Sequence, residues 1–135
     1  MDPARDRPSD SEKITINLGF VDLGRIDLMV QDAFYANRSD FIRSAIRRQL
    51  EAHAPSLTRA LERKTLDLGL RDFDRAELEA VVARSEMLDI RVVGLVRIAA
   101  DVPAELAVAA IAQVTVLGAF QASPAVKAAL RGRIR

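Results

Sequence analysis

The 135-residue sequence has no cysteine and no tryptophan, and only one histidine and one tyrosine. Without cysteine there can be neither a disulfide framework nor a thiolate metal site. One imidazole cannot supply the several nitrogen ligands that a transition-metal sensor centre needs. No apolar run approaches the ~18 residues that read as a membrane span, and no apolar run follows a basic stretch near the start. A signal peptide, a membrane association and a metal are therefore not expected, and a cytoplasmic location is. Charge of one sign is also missing, because 20 Lys and Arg stand against 19 Asp and Glu. The net charge of +1 therefore says little about partners. What is plentiful is apolar side chain, at 50% of residues. That is enough for real cores, in one ordinary domain or two very small ones.

Catalytic groupings are lacking too. Asp72, Asp74 and Glu77 have the look of paired carboxylates, but no His, Lys or phosphate-cradling loop stands near them in the sequence. Acidic residues at a helix start are explained by the helix dipole. Gly69, Gly94 and Gly118 are too far apart to cradle a phosphate. His53 closes a helical stretch before Pro55 and reads as structural or solvated. No enzyme activity and no cofactor are expected.

Lys13 to Leu18, K-I-T-I-N-L, alternate polar and apolar residues. As a strand they would send Ile14, Ile16 and Leu18 to one side and Lys13, Thr15 and Asn17 to the other. A lone six-residue strand in so small a domain has nothing of its own to pair with. Two copies pairing across a dimer would cover a shared helical core with the apolar side and present the polar side outward. A two-stranded ribbon of this kind fits the DNA major groove.

Phe20, Leu23, Ile26, Val30, Ala33 and Phe34 form a helical stripe up to Tyr35. Asp22 is a candidate cap for this helix, and Gly19 allows a sharp bend before it. The turn Tyr35-Ala36-Asn37-Arg38 leads to Ser39 and Asp40, with Ser39 expected as the N-cap of a second helix marked by Phe41, Ile42, Ala45, Ile46 and Leu50. The order strand, helix, N-R-S-D turn, helix over roughly residues 13–53 resembles the ribbon-helix-helix family of DNA-binding transcriptional regulators, the fold of the Met and Arc repressors. The resemblance implies an intertwined homodimer. Lys13, Thr15 and Asn17 fall on the positions that touch bases in that family. Asn37, Arg38 and Ser39 fall at a helix start suited to a DNA phosphate. Residues 1–54 hold 8 basic and 9 acidic side chains, so this segment is not globally basic. Arg38, Arg43, Arg47 and Arg48 concentrate what positive charge there is.

Residues 1–12 mix Pro with charges of both signs and read as a disordered arm. Residues 55–64 read as a short helical linker. Beyond them a unit recurs: strands at Thr65–Leu70, Ile90–Val96 and Val114–Phe120, each followed by a helix, at Ala76–Glu86, Pro103–Ala112 and Pro124–Leu130. The glycines at 69, 94 and 118 fall at the same place in each unit. A strand–helix unit of this length is the spacing of β/α solenoids, whose strands stack in parallel. The last unit is short, so a free strand edge is expected, and another copy of the region is its simplest cover.

The expected fold class is α+β. Residues 13–54 form the ribbon-helix-helix domain, and residues 65–135 a small solenoid-like α/β region for oligomerisation or partner contact. The expected function is sequence-specific binding of double-stranded DNA by a homodimer acting as a repressor, assembling to a tetramer or higher through residues 65–135. Two alternatives are a self-assembling scaffold and the antitoxin of a toxin–antitoxin pair.

Overall fold

The computed structural model describes residues 10–135. The arm expected over residues 1–12 lies mostly outside the described residues. The chain divides into two compact units, residues 11–60 and residues 61–135 together with Asp10.

The first unit holds α1 (Phe20–Gln31) and α2 (Arg38–Ala52), and the chain leaves it through α3 (Ala54–Lys64). α1 stops four residues short of Tyr35. Ala33 turns into the left-handed region at φ 63°. Its N–H donates to the Val30 carbonyl, and that of Phe34 to Met29, a pair of bonds that satisfies the last carbonyls of the helix. The expected cap at Asp22 is also displaced. Gly19 is the N-cap of α1, and Asp22 lies in the first turn, paired with Arg25 at 3.6 Å. A negative charge there suits the helix dipole as well as a cap would. His53 separates α2 from α3, and Pro55 sits in the first turn of α3, where its missing N–H costs no bond.

The second unit is a three-stranded parallel sheet in the order β1 (Asp67–Phe73), β2 (Leu88–Ile98), β3 (Ile111–Gln121). Between and after the strands come α4 (Arg75–Ala83), α5 (Ala104–Ala110) and α6 (Pro124–Ala129). Local chemistry sets the helix starts. The Asp74 carboxylate accepts from the Glu77 N–H at 2.7 Å, and the Ser123 hydroxyl accepts from Val126 N–H at 3.2 Å, with Pro124 at the first helical position.

Ile90, Val92, Val96 and Ile98 of β2 alternate onto one face. They join Val114 of β3, Leu78 and Val81 of α4, Ala107 and Ala110 of α5, and Val126 and Leu130 in one buried core. Alanines on α5 let that short helix lie close to its neighbours.

Register follows the glycines. Gly69 pairs with Gly94, and Gly94 with Gly118. All three have φ between 122° and 140°, a conformation open to glycine but strained for other residues. A Cβ on Gly94 would fall 2.0 Å from the Gly69 carbonyl oxygen, and one on Gly118 2.0 Å from that of Gly94. The spacing read from the sequence thus becomes a row of backbone contacts that no side chain could enter.

Candidate nucleic-acid interface

Lys13 to Leu18 form no strand within the chain. A strand needs a hydrogen-bonding neighbour, and the first unit contains no other extended segment to provide one. Lys13, Thr15 and Asn17 are exposed. The apolar side is uncovered as well, with Ile14 73% and Ile16 59% exposed. Beside it lies a largely apolar groove of about 560 Å³ whose walls include Leu18, Ile26, Phe41, Ile42 and Ile46. These are the residue types of a protein core, yet Ile26 is the only buried hydrophobic residue among residues 11–60.

The start of α2 is built differently from the expectation. Asn37, not Ser39, is the N-cap: its backbone is extended and its side-chain oxygen accepts from the Asp40 N–H at 2.8 Å. Asp40 reaches back, accepting the Ala36 N–H at 2.9 Å. This reciprocal pair works like a capping box, and Asn is at least as good an N-cap as Ser. The signal stands in the sequence as Asn37-x-x-Asp40. Ser39 lies two positions after Asn37 in the first turn, exposed, with its hydroxyl unengaged among the described residues. The backbone N–H groups of Arg38 and Ser39 likewise have no acceptor among the described residues, which leaves two donors pointing out of the helix end. Tyr35 and Phe41 meet edge to face at 4.9 Å between ring centroids and brace the turn.

Arg38 is already occupied. Its guanidinium donates two bonds to the Asp27 carboxylate on α1, at 2.7 and 2.8 Å. Hydrogen bonding and charge from Arg38 hold the Asp27 carboxyl below the usual carboxylate range, and Asp27 in turn raises the Arg38 guanidinium. Asp27 had no signal in the sequence, because it lies 11 residues from Arg38 with no motif linking them. Both partners are exposed. The pair can therefore open at little cost, since solvent screens exposed ion pairs. Arg43, Arg47 and Arg48 are exposed and free of ion pairs among the described residues.

Asn37, Arg38 and Ser39 are thus brought together at one helix end. Lys13, Thr15 and Asn17 sit on a separate, unpaired segment. The family model of ribbon-helix-helix transcriptional regulators matches residues 9–127, most of the chain. The chain belongs to that family. Membership in the ribbon-helix-helix regulators makes its broad class a DNA-binding transcriptional regulator. The match runs well past residues 13–53 and takes in all three strands of the sheet, so the second unit is part of what this family shares. No curated protein and no solved structure is significantly similar to the chain. Among the described residues, no helix of this regulator is long and apolar enough to cross a membrane. No group of three His, Cys, Asp or Glu there is placed to hold a metal ion.

Proposed function

We propose that this regulator is a repressor that reads the DNA major groove as a homodimer. The observation that carries the reading is the uncovered Lys13–Leu18 segment beside an apolar groove, a half-built arrangement that a second copy completes. Two such segments pair into a ribbon. Ile14, Ile16 and Leu18 close over the helices, and Lys13, Thr15 and Asn17 face outward to base edges. Asn pairs bidentately with adenine, Lys reaches guanine, and Thr serves a base edge or a thymine methyl. The Arg38 and Ser39 amides, with the Asn37 side chain beside them, receive a backbone phosphate, which fixes register without reading sequence. Arg38 turns from Asp27 to that phosphate on binding.

Few base contacts per dimer discriminate poorly against a genome of competing sites. Residues 65–135 therefore serve to join dimers into tetramers or larger assemblies, with the three strand–helix units acting as a short solenoid. Tethered dimers bind adjacent half-sites at raised effective concentration.

A mobility-shift assay on DNA upstream of the protein's own gene tests the reading, because such repressors commonly control themselves. Asn17→Ala is expected to lower specific affinity by about tenfold or more, since each good bidentate contact is worth ~1–3 kcal/mol and a dimer presents two. Thermal stability should be unchanged, as the side chain is exposed. Equal affinity of variant and parent would remove Asn17 from the base-reading set.

A further inference from the structure

The sheet of the second unit has two open edges that match each other. Among the described residues, β2 is paired with a strand on both sides, whereas β1 and β3 are each paired with one. Row by row across the sheet, Asp67, Val92 and Val116 align, as do Leu68, Val93 and Leu117, and so on to Asp72, Arg97 and Gln121. β1 therefore spans only the later rows of the sheet.

On the outer side of β3, the end of the chain covers an earlier row. Ile134 bridges to Val114, and the Arg135 N–H donates to the Val114 carbonyl at 2.8 Å. The third strand, expected to be open from Val114, is closed at Val114 itself. Arg133 anchors this closing segment by donating to the carbonyls of Val108 and Ile111 at 2.7 and 2.8 Å. The stretch of β3 with no strand on its outer side among the described residues, Val116 to Phe120, lies in the same rows that β1 occupies on the far side.

Backbone shape matches as well. Inside the sheet, a glycine carbonyl of one strand fills the space where the next strand's glycine lacks a Cβ. Gly69 holds the same conformation, φ 136°, but has no atom within 4 Å of that position. Gly118 stands in the same row on the opposite edge. The helix-free face agrees. In the row Leu70, Leu95 and Ala119, the central Leu95 is 7% exposed, flanked on both sides, while Leu70 at the edge is 46% exposed. Leu68 and Leu117 end their row in the same exposed way.

We infer that the sheets of separate chains join head to tail, β3 of one copy pairing in parallel with β1 of the next, in the register that carries the glycine row across the joint. This specifies the surface behind the assembly role proposed above for residues 65–135 and rests on that role. The two surfaces differ, so the contact is heterologous and extends into arrays unless its rotation closes a ring. Unpaired strand edges are where such joining occurs. A parallel β3–β1 joint places Leu117 of one copy beside Leu68 of the next.

The absence of native cysteine makes this register directly testable in the full chain. Leu68→Cys and Leu117→Cys are placed in separate chains, oxidised alone and as a mixture. Adjacent strands lie ~4.8 Å apart, within the Cα separation that a disulfide accepts. The mixture should give covalent dimers at least about fivefold faster than either variant alone. No mixed cross-link, or equally rapid cross-linking of Leu68→Cys or Leu117→Cys with itself, overturns the head-to-tail joint. Adding Gly69→Ala to the Leu68→Cys chain should abolish the cross-link in protein that still unfolds cooperatively: the new Cβ meets nothing within 4 Å, and the strain of alanine at φ 136° is the cost the thermal unfolding measures. Persistence of the cross-link in that folded variant would also overturn the joint. Should Gly69→Ala fail to fold, the comparison of mixed and unmixed cysteine chains decides alone. A mobility shift run on the same samples separates failure of this contact from failure of the regulator reading.

Discussion

The two units of this chain use apolar residues in opposite ways. In residues 61–135 the sheet and its helices enclose Leu78, Val96, Ile111, Val114, Val126 and Leu130 completely. In residues 11–60 only Ile26 is buried, while Ile14, Ile16, Phe20, Leu28, Phe34, Ile46 and Leu50 face solvent. One unit closes its own core within one copy of the chain. The other has the residues of a core but only half of the walls. Burying a large apolar side chain contributes ~1.5–3 kcal/mol, so a unit of about 50 residues cannot forgo nearly all of it and remain folded. The contrast leads us to expect that the second unit folds by itself, whereas the first folds by associating.

The most severe test of that contrast is Ile16→Asp. Ile16 belongs to the apolar side of the unpaired segment, and a carboxylate there would be buried unpaired once two copies close. The variant is expected to lose the helical signal of residues 13–54 and sediment without the N-terminal dimer, while the sheet unit stays folded. A folded, monomeric N-terminal unit by circular dichroism and sedimentation would break the comparison, since association would then not be what folds it.

A step smaller is Leu78→Ala. Leu78 is fully buried between α4 and the sheet, and such truncations cost about 2–5 kcal/mol. The loss should appear as a lower unfolding temperature for the sheet unit that does not change with protein concentration. Unfolding of the first unit should shift with concentration, the signature of the proposed coupling between folding and association. Two transitions with the same concentration dependence would show that the units are not separable in this way.

Much of this was legible in the sequence because it rests on spacing. Gly69, Gly94 and Gly118 announce the strand register before any coordinates, and the apolar runs around Val92 and Val116 announce strands. What was hidden are the stops. Thr65 and Ser85 end α3 and α4 in the left-handed region at φ 53° and 55°, just as Ala33 ends α1. Non-glycine residues carry no signal for that conformation, so the first strand was expected at Thr65 and begins at Asp67. The first repeat's helix was expected up to Glu86 and ends at Ala83. Ile111 was missed as a strand start for another reason: α5 passes into β3 without a loop, and no turn residue marks the junction. At the candidate interface, alternation over residues 13–17 leads to the expectation of a polar face, while within one chain both sides of that segment are exposed. The Asp27–Arg38 pair was not legible, because only the fold brings those two helices together.

The smallest expected effect compares one exposed ion pair from each unit. Arg38–Asp27, a two-bond pair between helices, and Arg75–Glu79, a single bond within one helix, have similar closest distances, 2.7 and 2.9 Å, and in both the carboxylate raises its arginine. If only the first unit meets DNA, neutralising the two carboxylates should have different consequences. Asp27→Asn releases Arg38 and removes a negative charge near the proposed phosphate site, so DNA affinity should rise about threefold. The salt dependence should stay close to the parent's, because Arg38 meets the phosphate in both complexes and the number of phosphates neutralised is the same. Glu79→Gln should change neither quantity. The stability cost of Asp27→Asn has a definite sign with pH. The Asp27 carboxyl is depressed in the folded chain, so the pair contributes above the unfolded carboxylate range and its contribution fades as pH falls through the lowered folded value. Parent and Asp27→Asn should therefore differ slightly in unfolding temperature at neutral pH and converge in acid. Equal gains in DNA affinity from both substitutions would mean that general charge, rather than a phosphate seat at the start of α2, governs binding.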